Sequence, residues 1–198
     1  YRNLIKGIVL TEPNQLWVSD ITYIDIEGDS DYLHLVTDAY SHKIIGWCLA
    51  DSLSAKHTLE ALRMAIRQTG KDDLSGLIHH SDRGIQYCCN AYVEELELHH
   101  ISISMTEDYK PTDNAIAERV NGIIKQELIY RRKRFASHEE AYEAIERFIT
   151  FYNDSRPHMS IDYQTPSVAH QQVGTQQRHW KGYQERCQQN QYNICQPI

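Results

Sequence analysis

A chain of 198 residues, 41% of them hydrophobic, holds one well-buried domain and is too short for two of ordinary size. No run approaches the roughly 20 consecutive apolar residues of a membrane span, and the opening Tyr1-Arg-Asn-Leu-Ile-Lys lacks a secretory pattern, so the expectation is a soluble, cytoplasmic protein with no membrane partner. A net charge of -7 argues against a broad phosphate-binding surface, because Lys and Arg supply most non-specific affinity for nucleic acid.

One segment runs against that balance. Arg119, Lys125, Arg131, Arg132, Lys133 and Arg134 stand against the single acid Glu127, a local excess of +5. The five cysteines (Cys48, Cys88, Cys89, Cys187, Cys195) are odd in number and form no C-x-x-C pair, which suggests reduced thiols. His179, Cys187 and Cys195 match no structural-zinc spacing. Because the first residue is Tyr and not Met, the chain reads as a piece of a longer protein.

In chain order, residues 15–26, 32–37 and 43–50 are rich in β-branched and aromatic side chains and predict three consecutive strands in an antiparallel meander. A helix is expected over 54–69, with Leu59, Leu62, Ala65 and Ile66 on one side and Gly70 ending it. A short strand over 76–79, a helix over 89–98 and a strand over 101–105 follow, then a Pro-containing loop over 107–112. Two helices close the pattern, over 113–131 and 137–152, the second capped by Ser137 with Glu140 three residues later. The order βββαβαβαα implies an α/β fold, a mixed five-stranded sheet flanked by helices. Beyond Pro166 the composition turns Gln-rich, with eight Gln between Gln171 and Gln191. The expected division is a linker over 1–14, a core over 15–169 and a tail over 170–198.

Three carboxylates stand out. Alternation along the first strand puts Leu16, Val18, Asp20, Thr22, Ile24 and Ile26 on one face, so Asp20 interrupts a largely apolar stripe, whereas Asp25 points the other way. A carboxylate so placed needs a basic partner, a proton or a metal ion; the ordinary alternative is an Asp exposed at a strand end. Asp82 lies in His79-His-Ser-Asp-Arg-Gly, where a short strand runs into a polar turn, a usual place for ligands in open sheets and equally the sequence of a plain Asx turn. On the third helix, Asn114, Asn121, Gly122 and Lys125 each fall within about 60° of Glu118, opposite Ile116, Val120, Ile123 and Ile124. Glu118 thus sits on a polar stripe suited to a phosphate backbone, and Glu127 falls near the centre of the apolar side. Carboxylates from separate elements suit Mg2+, and two such ions about 4 Å apart support in-line displacement at phosphorus without a protein nucleophile.

The segments Trp17-Val-Ser-Asp-Ile-Thr-Tyr23, His80-Ser-Asp-Arg-Gly-Ile-Gln-Tyr87 and Asp113-Asn-Ala-Ile-Ala-Glu118, followed by Lys125, resemble the integrase-core signature of bacterial insertion-sequence (DDE) transposases, relatives of retroviral integrases. The 35 residues between Asp82 and Glu118 match the family spacing, and Tyr152-Asn-Asp-Ser-Arg-Pro-His158 with Thr165-Pro166 resembles the end of that core. The resemblance covers roughly 15–169. It implies a ribonuclease-H-like fold and a DNA transposase that cuts and joins strands during integration, with two Mg2+ or Mn2+ ions held by Asp20, Asp82 and Glu118. It implies DNA contact by Lys125, and DNA contact or local support from Asn114, Arg156 and His158; Asn121, on the same stripe as Glu118, is a further expected DNA contact. DNA ends and target are the implied partners, with homo-oligomers on DNA and residence at the nucleoid. A nuclease of the same fold without strand transfer, or a silent DNA-binding module, are the alternatives. Glu107-Asp-Tyr-Lys-Pro-Thr and the acidic net charge depart from the commonest family pattern.

Overall fold

The structure is a computed structural model and describes residues 1–107, 114–132 and 134–176. Three antiparallel strands come first: β1 (Leu16–Ile26), β2 (Asp29–Asp38) and β3 (Ile44–Ala50). Gly28, with φ at 87°, makes the tight turn between β1 and β2 that an L side chain would resist. After helix α1 (Ala55–Thr69), strands β4 (Ile78–Ser81) and β5 (Ser102–Met105) add to the other edge in parallel, giving the order β3-β2-β1-β4-β5. The mixed five-stranded sheet expected from the sequence is therefore present, with β1 at its centre.

The helices divide between the two faces of the sheet. The short α2 (Ile85–Cys88) and α3 (Asn90–Leu98) follow β4, and α1 packs with them on Trp17, Val36, Leu62, Tyr92 and Leu96. On the other face lie α4 (Ala115–Ile124) and α5 (His138–Asp154), which close over Ile24, Leu33, Ile44, Val120, Ile124, Ile145 and Tyr152. A smaller cluster of Leu16, Val18, Ala39 and Ala117 covers the N-terminal half of β1 on that same face. Burial in β1 follows: its first four residues are buried on both faces, while further on Ile24 and Ile26 are buried and Tyr23 and Asp25 exposed. Asp25 pairs at 3.1 Å with Arg134 at the surface, in keeping with its outward register.

Local chemistry explains most element ends. Ser54 accepts from the Lys56 amide at the start of α1, Gly70 ends that helix with φ at 64°, and Ser137 accepts from the Glu140 amide at the start of α5. Asn153 near the end of α5 both accepts from the Ile44 amide (3.0 Å) and donates to the Ile44 carbonyl (2.9 Å), tying that helix to the free start of β3. A short helix α6 (Pro166–Ala169) completes the described elements.

Three differences from the sequence expectations have physical causes. The expected helix over 89–98 is preceded by a separate turn of helix, because Cys89 adopts extended angles (φ -70°, ψ 147°) between α2 and α3. The single helix expected over 113–131 is α4 followed by a π-helical turn, Lys125–Ile129, closed by the Tyr130 amide donating to the Lys125 carbonyl at 2.8 Å. Residues 1–14, read as a linker, are bonded to the core: the Met105 amide donates to the Arg2 carbonyl and the Leu4 amide to Ser104 Oγ. The loop over 108–112, Asp113, Lys133 and the tail from 177, with His179, Cys187 and Cys195, lie outside the described residues.

Sheet and α1 approach most closely at Gly46, where a Cβ would meet the Ala61 carbonyl inside contact distance and lie 3.0 Å from the Ala65 amide nitrogen. Both obstacles are helix backbone and cannot rotate away. Gly46→Ala is expected to lower stability by about 1–3 kcal/mol or more. Urea denaturation checks this, as a lower midpoint with little change in slope; an unchanged midpoint would contradict the close packing of β3 on α1.

Candidate active site

Asp20 occupies the middle of β1 on the face that α4 covers, and it falls in a gap between two apolar clusters. Leu16, Val18 and Ala117 lie on one side of it, and Ile24, Ile26 and Val120 on the other. The residues of β1 that face this gap are Asp20 and Thr22. The Asp20 carboxylate accepts from the Ile21 amide at 2.9 Å and from Asn121 Nδ2 at 2.6 Å. Burial nevertheless pushes its pKa above the ordinary range; the two hydrogen bonds pull it down, and the negative charges of Asp82 and Glu118 push it further up. Both acids are thus near enough for their charge to be felt at Asp20, although they lie 62 and 98 residues away in sequence.

Asp82 stands just beyond the C-terminal end of β4, exposed, with Oδ1 accepting the Gly84 amide at 2.9 Å. The Asx turn and the strand-end placement coexist: the turn aims the carboxylate from the end of the sheet. A Cβ at Gly84 would come 3.0 Å from that same Oδ1 and 2.9 Å from Gln86 Oε1, so the space beside the carboxylate is tight. Arg83 donates from Nε to the Thr106 carbonyl at 2.9 Å, joining this turn to the end of β5.

Glu118 is exposed in the first turn of α4, and two asparagines seat that helix on β1. Asn114 Nδ2 donates to the Ser19 carbonyl at 3.1 Å, and Asn121 reaches Asp20, so the helix is tied down on either side of the acid. The stripe read from the sequence therefore splits: Glu118 is exposed, Gly122 and Lys125 are half-buried, and Asn114 and Asn121 are buried against the strand. A Cβ at Gly122 would meet nothing within 4 Å, so the surface beside Glu118 is open.

Among the residues expected for DNA contact, Asn114, Asn121 and His158 have their side chains within the protein. The His158 ring lies edge-on to Tyr152, 4.7 Å between centroids, and burial with the Arg156 charge lowers its pKa to about 3. Local support, one of the two roles left open for Asn114 and His158, is the one their environments fit. Arg156 grips Glu127, with Nη2 at 2.6 Å and Nε at 2.9 Å. Glu127 is thus not in the apolar seam; the wider π turn swings it out of α-helical register toward Arg156, which holds its carboxyl below the usual range. Within the basic run, Arg132 pairs with Glu140 and Arg134 with Asp25, while Lys125 makes no ion pair among the described residues.

Under the site, on the opposite face of β1, is a group that the sequence did not single out. His79 Nε2 lies 2.8 Å from Ser19 Oγ and 2.9 Å from Tyr92 Oη, and burial, with His80, lowers its pKa to about 3, so the ring is neutral. Tyr87 packs beside both rings; burial raises its pKa well above the normal value, and Tyr92, Asp20 and Asp82 add to the rise. Two adjacent, buried histidines in β4 were the available signal.

The site fits a hard divalent cation on its own chemistry. Its charged donors are all carboxylate oxygens, and none of the three acids has a Lys or Arg ion pair among the described residues. Among the described residues, the buried oxygens Asn114 Oδ1, Asn121 Oδ1 and Thr22 Oγ1 have no hydrogen-bond partner. Negative charge without a basic partner, beside unsatisfied oxygens, is what a metal ion compensates.

The mixed five-stranded sheet with helices on both faces defines a ribonuclease-H-like α/β domain, in which the carboxylates of Asp20, Asp82 and Glu118 do not all lie within 4.8 Å of one another. Its fold is shared by a chain of the simian T-cell lymphotropic virus intasome (TM-score 0.71, 18% identity, covering 92% of this chain and 63% of that one). It is shared also by the HTLV-2 integrase catalytic core domain in complex with magnesium (TM-score 0.63, 22% identity, 85% and 99%). Residues 11–111 match the family described as Integrase core domain, and residues 99–166 match a second family of that description. The chain belongs to the integrase core domain family. It is 38% identical over 147 residues to a putative transposase for insertion sequence element IS986/IS6110 of Mycobacterium tuberculosis, covering 73% of this chain and 53% of the relative. It is 35% identical over 167 residues to the transposase for insertion sequence element IS904 of Lactococcus lactis, covering 83% and 64%. The chain thus spans between about half and two thirds of the length of these relatives.

The raised pKa of Asp20 has a stability consequence. A carboxyl whose folded pKa exceeds its unfolded value favours the fold while protonated, and that contribution is lost as pH rises through the folded pKa. Without metal, Asp20→Asn is therefore expected to raise the unfolding temperature at neutral pH, with the gain shrinking in acid below the usual Asp range. Thermal unfolding in chelator at both pH values measures it, and equal midpoints at neutral pH would refute the strained carboxylate.

Proposed function

We propose that this chain is the catalytic core of a DNA transposase, with Asp20, Asp82 and Glu118 holding two Mg2+ or Mn2+ ions for phosphodiester cleavage and strand transfer. The observation that carries the proposal is Asp20 itself: a carboxylate partly withdrawn from water, opposed by two further acids, with no basic partner among the described residues. The transposase relatives, and the magnesium in the HTLV-2 integrase core, favour the same chemistry.

Divalent ions, when bound, supply charge for the phosphoryl oxygens and lower the pKa of an attacking hydroxyl or water. The rest falls to the chain. Asn121 and the Ile21 amide hold the Asp20 carboxylate in one orientation, the Gly84 turn holds Asp82, and Asn114 fixes the helix that carries Glu118. A 3′-hydroxyl of DNA, or water, attacks phosphorus and gives its proton to solvent; the new P–O bond forms as the bond to the opposite 3′-oxygen breaks, and that oxygen leaves with a proton from solvent. Gly122 leaves room for the backbone along α4, and Lys125 neutralises a phosphate on that side. Element ends and target are the DNA partners. Assembly as a homo-oligomer on DNA and residence at the nucleoid complete the proposal.

The same geometry serves a nuclease that cuts without joining, and a silent binding module would keep the fold without the chemistry. The deciding experiment is a nicking and strand-transfer assay on a pre-cut DNA end with Mg2+ or Mn2+. Metal-dependent joining is expected for the wild type, and Asp20→Asn, Asp82→Asn and Glu118→Gln are each expected to abolish it while the circular dichroism spectrum is preserved. Cutting without joining would establish the nuclease, and full activity in any of the three variants would remove that residue from the site.

Lys125→Ala is expected to weaken DNA binding and to reduce the salt-dependence slope by about 1. An unchanged slope in a fluorescence-anisotropy titration would exclude the phosphate contact.

A further inference from the structure

A second group of potential ligands lies on the other face of the sheet, where α1 crosses β3. Cys48 near the end of β3, and His57 and Glu60 three residues apart on α1, bring Sγ, an imidazole nitrogen and a carboxylate oxygen all within 4.8 Å of one another. Among the described residues no other group of His, Cys, Asp or Glu meets that geometry. Cys48 Sγ lies 3.3 Å from Glu60 Oε2, and His57 Nδ1 lies 3.6 Å from the same oxygen. Behind them His34, directly opposite Cys48 in the β2–β3 ladder, has its ring 6.0 Å from that of His57. His34 is 1% exposed and its Nδ1 is engaged by Thr58 Oγ1 at 2.9 Å.

We propose that Cys48, His57 and Glu60 form a zinc site that fastens α1 to β3, with water in the fourth position. One sulfur, one nitrogen and one oxygen make a borderline-soft donor set, which selects zinc over the hard ions suited to the carboxylates on the opposite face. Two of the ligands are one turn apart on a helix and the third is on a strand beneath it, so the site closes without backbone movement. Glu60 is exposed and Cys48 half-buried, which leaves a path for the ion. Without metal the thiol keeps its proton, since burial and the Glu60 carboxylate push its pKa up to about 12. Binding therefore breaks the S–H bond, forms a metal–sulfur bond and releases one proton to solvent. His34, its pKa lowered to about 4 by burial, stays neutral beside the ion and adds no opposing charge.

Titration of the metal-free, reduced full chain with Co2+ tests this, because a thiolate–cobalt charge-transfer band in the near ultraviolet appears only when sulfur binds. One equivalent is expected to give the band. It should persist in Cys88→Ser, Cys89→Ser and Asp20→Asn, and vanish in Cys48→Ser. Glu60→Gln, at an exposed position that the fold tolerates, is expected to weaken zinc binding more than about tenfold, read by competition with a chelating dye. Zinc should also raise the unfolding temperature of the wild type and leave that of Cys48→Ser unchanged. The proposal is overturned if no band appears, if the band survives Cys48→Ser and so belongs to Cys187 or Cys195, or if Glu60→Gln binds zinc as the wild type does.

Discussion

The withdrawal of the Asp20 carboxylate from water organises this molecule. A charge at the centre of the central strand is tolerable only if something meets it, and Asn121, the nearest partner, is an amide that offers hydrogen bonds and no charge. The core accordingly breaks into two clusters on that face, one before Asp20 and one after it, with Asp20 and Thr22 between them. α4 bridges the break, contributing Ala117 to one cluster and Val120 to the other, so the packing that buries the helix also fixes Glu118 relative to Asp20. The site exists because the core was interrupted there.

Asparagine and glycine do much of the positioning. Asn114 and Asn121 anchor α4 on β1 without adding charge to a region already crowded with acids, and the Gly84 amide closes the turn that presents Asp82. At the far end of α4 the helix widens into the π turn, and the fork between Arg156 and Glu127 holds that turn against the segment after α5. Lys125 opens this turn two residues before Glu127, whose partner Arg156 lies 29 residues further along the chain.

The two faces of the sheet differ in donor chemistry. Carboxylate and amide oxygens gather on the α4 side, whereas sulfur, imidazole and a single carboxylate meet on the α1 side. Ion selection by softness and geometry allows both within one small domain. His79, Ser19 and Tyr92 form a polar tie under β1, on the α1 side, directly beneath Asp20. Its buried, neutral histidine is a rigid hydrogen-bonding wedge between strand and helix.

Much of this was legible in the residues. Alternation along β1 placed Asp20 in an apolar stripe, Ser137 and Gly70 marked helix ends, and the order of elements foretold a mixed five-stranded sheet, because period, caps and turns are short-range properties that neighbouring residues determine. What lay beyond reach depended on partners distant in sequence. A helical wheel counts Asn114 and Asn121 as surface, since it cannot know that β1 passes beneath them; it puts Glu127 in the seam, since it cannot know that Arg156 will draw the turn into π geometry. Nor does any local pattern link Cys48 to His57 and Glu60, on two elements joined only by packing. The sequence alone determined which residues carry charge and which faces are apolar, whereas the tertiary structure decided which charges meet, because electrostatic and hydrogen-bond energies depend on distances through space that only the packed sheet and helices set.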